Sequence, residues 1–206
     1  LPNFAEIDAS ALKAAKLMFL NYPNNPTAAV APVEFYQEAV EFARRHDLII
    51  ASDAAYSEMT YDGYRAPSLL NAKGGKDVGI EFHSLSKTFN MTGWRVGFAA
   101  GNAEIIKLLA KVKSNIDSGI FSAVQLAGVA ALSGDQRFVQ DICQLYQERR
   151  DTLVSGLNSL GWKLNKPKAT FYLWCNTPGK VDSISFAARL LKEADIVATP
   201  GVGFGK

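Results

Sequence analysis

The sequence has little cysteine, no long apolar run and no marked excess of charge of either sign. Its two cysteines, Cys143 and Cys175, cannot build a disulfide framework and lack the spacing of metal ligands. We therefore expect reduced thiols and a cytoplasmic protein. No window contains about 18 consecutive apolar residues, so we expect no membrane-spanning segment and no membrane partner. The 22 Lys and Arg residues nearly balance the 20 Asp and Glu residues, and the net charge of +2 argues against nucleic-acid binding.

The composition is that of a folded protein, with 48% hydrophobic and 20% charged residues. A disordered chain has fewer apolar residues and a larger charge imbalance. The 206 residues suit one large domain, or one domain with part of a second, at roughly 100–200 residues per domain. The sequence stops shortly after the apolar run 196–198, where a further element is expected to begin. We interpret the chain as a fragment of a longer protein.

Apolar runs that alternate with amphipathic stretches predict an α/β fold. Four short runs read as strands, and Pro32 opens a helix between the first two. Continuous apolar runs linked by a crossover helix are typical of a parallel sheet whose two faces are both covered. The predicted strands are 17–20, 48–51, 80–83 and 96–99.

The second half of the sequence is predicted to be mostly helical. Helices are expected over 103–114 and 122–132, followed by a helix of about 25 residues that ends at Gly161. A strand is expected at Phe171–Trp174, and a last helix at Ile184–Ala194. Because a long helix can link two domains, we predict a domain boundary within it. Residues 1–147 then belong to a larger domain and residues 148–206 to an incomplete, smaller α+β domain.

Polar side chains follow three of the predicted strands, at the point where each strand ends. Asn21–Thr27 follows the first strand, Asp53 and Tyr56 follow the second, and Ser84–Lys87 follows the third, with Arg95 shortly after. Each of these has an ordinary interpretation as a turn, a cap or a surface charge. In open α/β sheets, however, ligands bind outside the carboxyl ends of the strands, so the joint arrangement predicts a binding crevice.

The chemistry that uses this set of groups is that of pyridoxal phosphate (PLP). A lysine amine forms a Schiff base with the PLP aldehyde, and a carboxylate keeps the pyridine nitrogen protonated. An amide and a phenol can donate hydrogen bonds to the phenolic oxygen of the ring. Hydroxyl groups and a guanidinium suit the dianionic phosphate.

Three motifs resemble those of the class I/II aminotransferases of fold type I. They are Ser84–Gly97, Asn21–Thr27 and Asp53–Tyr56, which occur in the family's order. The flanking sequence is most similar to the LL-diaminopimelate aminotransferase branch, which points to lysine biosynthesis. The resemblance implies a fold type I, PLP-dependent transferase, of which residues 1–147 are the C-terminal part of the PLP-binding large domain. It also implies that an amino acid and a 2-oxo acid are the substrates and that the intact protein is a homodimer.

The resemblance assigns a role to each candidate residue. Lys87 matches the lysine that holds PLP and acts as acid and base. Asp53 matches the partner of the pyridine nitrogen, and Asn25 and Tyr56 match the residues on the phenolic oxygen. The phosphate side corresponds to Ser84, Ser86 and Arg95.

The sequence departs from the family pattern in one residue and in its extent. Ala28 stands where the family usually has glycine. The upstream phosphate loop with its stacking aromatic, and the downstream arginine that binds the substrate carboxylate, both lie outside the chain. We therefore expect the chain by itself to have little or no activity.

The motifs leave other functions open. A carbon–sulfur lyase of the same fold shares all of them. A non-catalytic, PLP-sensing domain of a transcription regulator is another alternative, which a winged helix-turn-helix upstream of Leu1 would favour. A purely structural fragment that binds no cofactor is a further alternative.

Overall fold

A computed structural model describes residues 1–179 and 181–205. Its sheet contains β1 (Leu17–Asn21), β2 (Ile49–Asp53), β3 (Gly79–Ser84) and β4 (Gly97–Gly101), in the spatial order β1-β2-β3-β4. The pairs β1–β2 and β2–β3 are parallel, and their register places Asn21 beside Asp53 and Asp53 beside Phe82. This α/β sheet is mostly parallel, as the apolar runs predict.

β4 is the exception, because it pairs antiparallel to β3. A parallel pair needs a crossover long enough to return to the start of the preceding strand, usually through a helix. Between β3 and β4 lie only the four-residue helix α4 (Leu85–Thr88) and a short 3-10 turn at Thr92–Trp94. At 1.5 Å per residue, α4 spans roughly 6 Å, which is far less than the length of a six-residue strand.

The other helices lie close to their expected bounds. The 23-residue helix α7 runs through positions 147 and 148 without interruption, so the domain boundary stays a prediction. The helices are α1 (Ala9–Ala14), α2 (Val33–Arg45), α3 (Gly75–Val78), α4, α5 (Ala103–Ile116), α6 (Ser122–Ser133), α7 (Arg137–Ser159) and α8 (Ser183–Ala194). None of the helices in the described residues is both long and apolar enough to cross a bilayer.

The strand expected at Phe171–Trp174 is wrong. Just before it, one isolated bridge joins Ala169 to Thr60. Thr170 then adopts a left-handed backbone with φ of +66°, which turns the chain out of an extended course. The apolar side chains that follow join an aromatic cluster with Tyr56 and Tyr146 and do not form a β ladder.

The main core lies between α2 and one face of the sheet. Phe35, Tyr36 and Val40 of α2 pack with Leu20 of β1 and Ile50 of β2. The hydrophobic side chains of α2 recur at helical spacing, so a single stripe faces the strands.

The described residues leave the opposite face of β1 uncovered. Phe19, whose side chain alternates with that of Leu20, is 73% exposed, and Leu17 and Ile49 are also exposed. The apolar runs predict a sheet that is covered on both faces. At this edge of the sheet, the described residues cover one face only.

Glu81 of β3 is a buried carboxylate with a full set of partners. It accepts hydrogen bonds from the Ser68 hydroxyl at 2.9 Å and the Leu69 amide at 2.8 Å, and it pairs with His83 Nε2 at 2.8 Å. A buried charge is costly without such partners. Because two of the donors come from Ser68 and Leu69, these bonds also hold the segment before α3 against the sheet.

Candidate functional site

The end of β1 is tied to the end of β2 by a single side chain. Asn21 donates from Nδ2 to the carbonyl of Asp53 at 3.1 Å, and its Oδ1 accepts from the Asn25 amide at 2.9 Å. Asn24 in turn accepts at Oδ1 from the amide and hydroxyl of Thr27. These bonds hold the turn that carries Asn25 next to the strand end that carries Asp53, as the register predicts.

Ala28 closes this turn in the left-handed conformation, with φ of +57°. Its amide donates to the carbonyl of Asn24 at 2.9 Å. A position with this φ suits glycine best, because a Cβ there is sterically disfavoured. Ala28 therefore adopts a conformation that suits glycine, the residue that the family pattern implies at this position.

Asp53 is the last residue of β2, and Tyr56 lies on the turn that follows. The Asp53 carboxylate is exposed and accepts from the Ala55 amide at 3.2 Å. Tyr56 is buried, and its hydroxyl lies 2.8 Å from the hydroxyl of Tyr172. Burial raises the pKa of Tyr56 far above its ordinary value, and the nearby charge of Asp53 raises it further. Tyr56 is therefore a neutral phenol that can donate a hydrogen bond.

Lys87 lies in α4, directly after β3, and its side chain is partly buried. Its Nζ is 5.8 Å from the centre of the Tyr56 ring. The amine thus lies beside the phenol that follows β2, although the two residues are separated in sequence by a loop and a whole strand. A cation this close to an aromatic face is held there by the ring's electrostatic field.

Ser84, Ser86 and Arg95 form a second group, at the start of α4 and just before β4. Ser84 Oγ accepts from the Ser86 amide at 3.2 Å, which caps the helix. Arg95 Nη1 donates to the Thr92 carbonyl at 2.9 Å and, with a longer separation of 3.4 Å, to the Ser86 hydroxyl. The guanidinium and the two hydroxyls are the donors that a dianionic phosphate prefers.

The structure brings all the predicted site residues to the carboxyl edge of β1, β2 and β3. Asn25, Asp53 and Arg95 are exposed there, so the site is open to solvent in this chain. A cavity of about 440 Å³ lies nearby, but Ser84 is the one predicted site residue in its lining, so this cavity is not the space that faces Lys87 and Asp53. An amine, a carboxylate, a phenol, an amide and a phosphate-type donor group at one edge fit PLP by the chemistry of the donor set.

Sequence reasoning missed Tyr172. It lies 116 residues after Tyr56 in the chain, within an apolar run that reads as a core strand. An aromatic residue in such a run carries no signal of a polar contact, so only the folded structure reveals its partner.

The comparisons with known proteins cover the whole chain. Residues 3–206 match the family model described as aminotransferase class I and II. The chain is 59% identical over 205 residues to the LL-diaminopimelate aminotransferase of Moorella thermoacetica, and 54% identical to that of Desulforudis audaxviator. Each alignment takes in 100% of this chain but 53% and 52% of the relative, so the chain spans about half the length of these curated relatives.

Solved structures with the same fold are also about twice as long. Apo-BacF from Bacillus subtilis superposes with a TM-score of 0.95 at 44% identity, covering 100% of this chain and 53% of that one. A probable N-succinyldiaminopimelate aminotransferase from Thermus thermophilus gives a TM-score of 0.92 at 37% identity, with 100% and 55% covered. With a family match over nearly every residue and a fold shared with solved aminotransferases, this chain belongs to the class I and II aminotransferase family.

Proposed function

We propose that the protein containing this chain is a PLP-dependent aminotransferase that moves an amino group between an amino acid and a 2-oxo acid. The observation that carries the proposal is the position of the Lys87 amine, 5.8 Å from the Tyr56 ring, at the strand edge that also presents Asp53. An amine, a phenol and a carboxylate on neighbouring strand ends are the groups that hold PLP and that transfer protons beside it.

The roles proposed for the residues follow from their chemistry. Lys87 would hold the cofactor through Nζ and, when released, would move a proton at the substrate α-carbon. Asp53 would keep a proton on the pyridine nitrogen, because a negative carboxylate next to that nitrogen favours the protonated, positively charged ring. Asn25 and Tyr56 would donate to the phenolic oxygen. When bound, PLP supplies a ring that withdraws electrons from the substrate α-carbon.

The phosphate would lie at the other end of the site. Ser84 and Ser86 would donate from their hydroxyls, and Arg95 would add its positive charge. The bond from Arg95 to the Thr92 carbonyl orients the guanidinium and supports this role. Arginine is suited to the task because its planar group can form two parallel hydrogen bonds to phosphate oxygens.

LL-Diaminopimelate is the amino acid that we propose as substrate, which places the protein in lysine biosynthesis. This rests on the relatives at 50–59% identity that carry the name LL-diaminopimelate aminotransferase.

We also propose that the intact protein is a cytoplasmic homodimer. Residues 1–147 would be the C-terminal part of its large domain, and residues 148–206 would be part of a smaller domain.

The exposed apolar stripe of α5 supports the proposed homodimer, because a second subunit would cover it. Leu108, Val112 and Ile116 recur every four residues and are all exposed in this chain. Sedimentation velocity of the protein expressed from its complete open reading frame tests the dimer, which a monomer at micromolar concentration would contradict.

The experiment that tests the function uses the same full-length protein, loaded with PLP. Reduction with borohydride, digestion and mass spectrometry should find the cofactor mass on Lys87. The variant Lys87→Ala should lose both this adduct and the formation of glutamate from LL-diaminopimelate and 2-oxoglutarate. An exposed lysine of α5 gives the control, because Lys107→Ala should keep both.

Two results would contradict the proposal. Trapping of the cofactor at another lysine would remove Lys87 from its role. Pyruvate release from cystathionine, without glutamate formation from LL-diaminopimelate, would instead identify a carbon–sulfur lyase.

A further inference from the structure

Tyr172 makes a polar contact inside the candidate site that none of the motifs explains. Its hydroxyl lies 2.8 Å from the hydroxyl of Tyr56, and the two rings meet edge to face, with centres 5.6 Å apart. Tyr56 is buried and Tyr172 is half-buried, so water competes little for this bond. The contact therefore joins the turn after β2 to the chain that follows α7.

Backbone hydrogen bonds hold the two segments together. The Tyr61 amide donates to the Lys168 carbonyl at 2.9 Å, and the Thr170 amide donates to the Met59 carbonyl at 2.9 Å. The Tyr61 hydroxyl adds a bond of 2.6 Å to the carbonyl of Thr170. These bonds pair the backbone just before Tyr172 with the Met59–Tyr61 segment, and this pairing fixes the position from which Tyr172 contacts Tyr56.

The backbone just before Tyr172 is strained, and the side chain of the strained residue bonds to the Tyr172 amide. Thr170 is a buried, β-branched residue at φ of +66°, a conformation that such residues rarely adopt. Its hydroxyl oxygen accepts from the Tyr172 amide at 3.2 Å. Strain of this kind persists where the surrounding contacts determine the geometry, and it is concentrated at functional sites.

We propose that Tyr172 is a positioning residue that donates its hydroxyl hydrogen to the Tyr56 oxygen, so that Tyr56 donates its own to the phenolic oxygen of the cofactor. The proposal rests on the proposed function. A phenol has one hydrogen to donate and can accept at its oxygen, so the two bonds are compatible. A phenol that accepts a hydrogen bond becomes a stronger donor, because chains of hydrogen bonds polarise one another.

Charged groups face this hydroxyl pair from two elements. The Asp53 carboxylate approaches from the end of β2 and favours the neutral form of Tyr56. The Lys87 amine approaches from α4 and lies over the Tyr56 ring. Tyr172 itself comes from the segment after α7. Replacing Tyr172 by phenylalanine removes a hydrogen-bond donor and leaves the charged groups of Asp53 and Lys87 in place.

The test uses the protein expressed from its complete open reading frame, with Tyr172→Phe as the main variant. Tyr146→Phe is the matched control, because Tyr146 packs against the same aromatic cluster while its hydroxyl makes no hydrogen bond within the described residues. The first readout is the PLP dissociation constant by equilibrium dialysis. The second is the pH midpoint of the absorbance change of bound PLP.

For Tyr172→Phe we expect about two- to tenfold weaker PLP binding, the usual net effect of one hydrogen bond. The pH midpoint should move upward by roughly 0.3 to 1 unit, since a weaker donor stabilises the negative phenolic oxygen less. Tyr146→Phe should leave both quantities unchanged. An unchanged midpoint in Tyr172→Phe, or an equal shift in both variants, would overturn the proposal.

A double-mutant cycle on the unloaded protein tests the contact without the cofactor. In urea unfolding, Tyr172→Phe should change the equilibrium constant about two- to tenfold more in the wild-type background than in Tyr56→Phe. Equal effects in the two backgrounds would show that the hydroxyls do not interact and would overturn the proposal. Failure of wild type to form any adduct at Lys87 would overturn the proposed function and, with it, the donor role of Tyr172. A normal adduct with an unchanged midpoint would overturn the role of Tyr172 alone.

Discussion

Replacing Asp62 by alanine should destabilise the protein much more than an ordinary surface substitution. Asp62 receives two hydrogen bonds from Arg150, at 2.7 Å from Nη1 and 3.1 Å from Nη2. The Arg150 side chain is only 6% exposed, whereas that of Asp62 is 52% exposed. Arg150 also donates to Asp151 and to the carbonyl of Pro167, so it fixes α7 to the segment that carries Tyr172.

The expected cost is about 1.5–3 kcal/mol, the range for losing a hydrogen bond to a charged group that is buried on one side. Complete loss of a buried ion pair costs about 3–5 kcal/mol, but here Asp151 and Pro167 remain as partners of Arg150. The control is Asp135→Ala, because Asp135 pairs with Arg137 on the surface, where the two side chains are 56% and 83% exposed. An exposed pair contributes about 0–1 kcal/mol.

The pH dependence gives a second check on the same variant. The Arg150 guanidinium lowers the pKa of Asp62, so this carboxylate stabilises the folded state above its unfolded pKa, and the contribution is lost as pH falls through the lowered value. Urea unfolding should therefore give a full difference between wild type and Asp62→Ala at pH 7 and a shrinking one below about pH 4. Equal costs for Asp62→Ala and Asp135→Ala, or a difference independent of pH, would refute the reasoning.

Two further predictions concern the core and a helix terminus. Phe35→Ala should cost about 3–5 kcal/mol in the 206-residue chain, because Phe35 is buried against Phe4 and Tyr22, whereas Phe19→Ala on the uncovered sheet face should cost less than about 1 kcal/mol. Similar urea midpoints for the two variants would contradict this view of the core. Asn102→Ala should cost about 1 kcal/mol, since the Asn102 side chain accepts from the Glu104 and Ile105 amides at the start of α5. Asn102→Asp keeps both acceptor bonds but loses the donation from Nδ2 to the Asp77 carbonyl at 2.8 Å, so it should recover only part of the stability, and thermal unfolding of both variants checks the difference.

The candidate site could be located from the sequence because strand ends are visible in it. Buried strands appear as continuous apolar runs, so the polar residues that follow them mark where each strand stops. Since β1, β2 and β3 are parallel, those ends meet at one edge, and Asn25, Asp53 and Lys87 come to the same place. The roles of these residues stay predictions until the cofactor is trapped.

The sequence did not reveal the direction of β4 or the course of residues 171–174. The direction of β4 depends on how far the short link after β3 can reach, which is a property of the folded backbone and not of the apolar pattern. Residues Phe171–Trp174 have the composition of a strand, but the left-handed turn at Thr170 sends them into an aromatic cluster.

The sequence by itself determined the α/β class, the family and the set of polar residues at the strand ends, because short-range patterns and motifs encode these. Only the tertiary structure decided that Tyr172 meets Tyr56 and that the buried Arg150 pairs with Asp62. Each of these pairs joins residues far apart in the chain, with separations of 116 and 88 positions. Contacts at such separations are fixed by the packing of whole elements, which no local pattern of residues specifies.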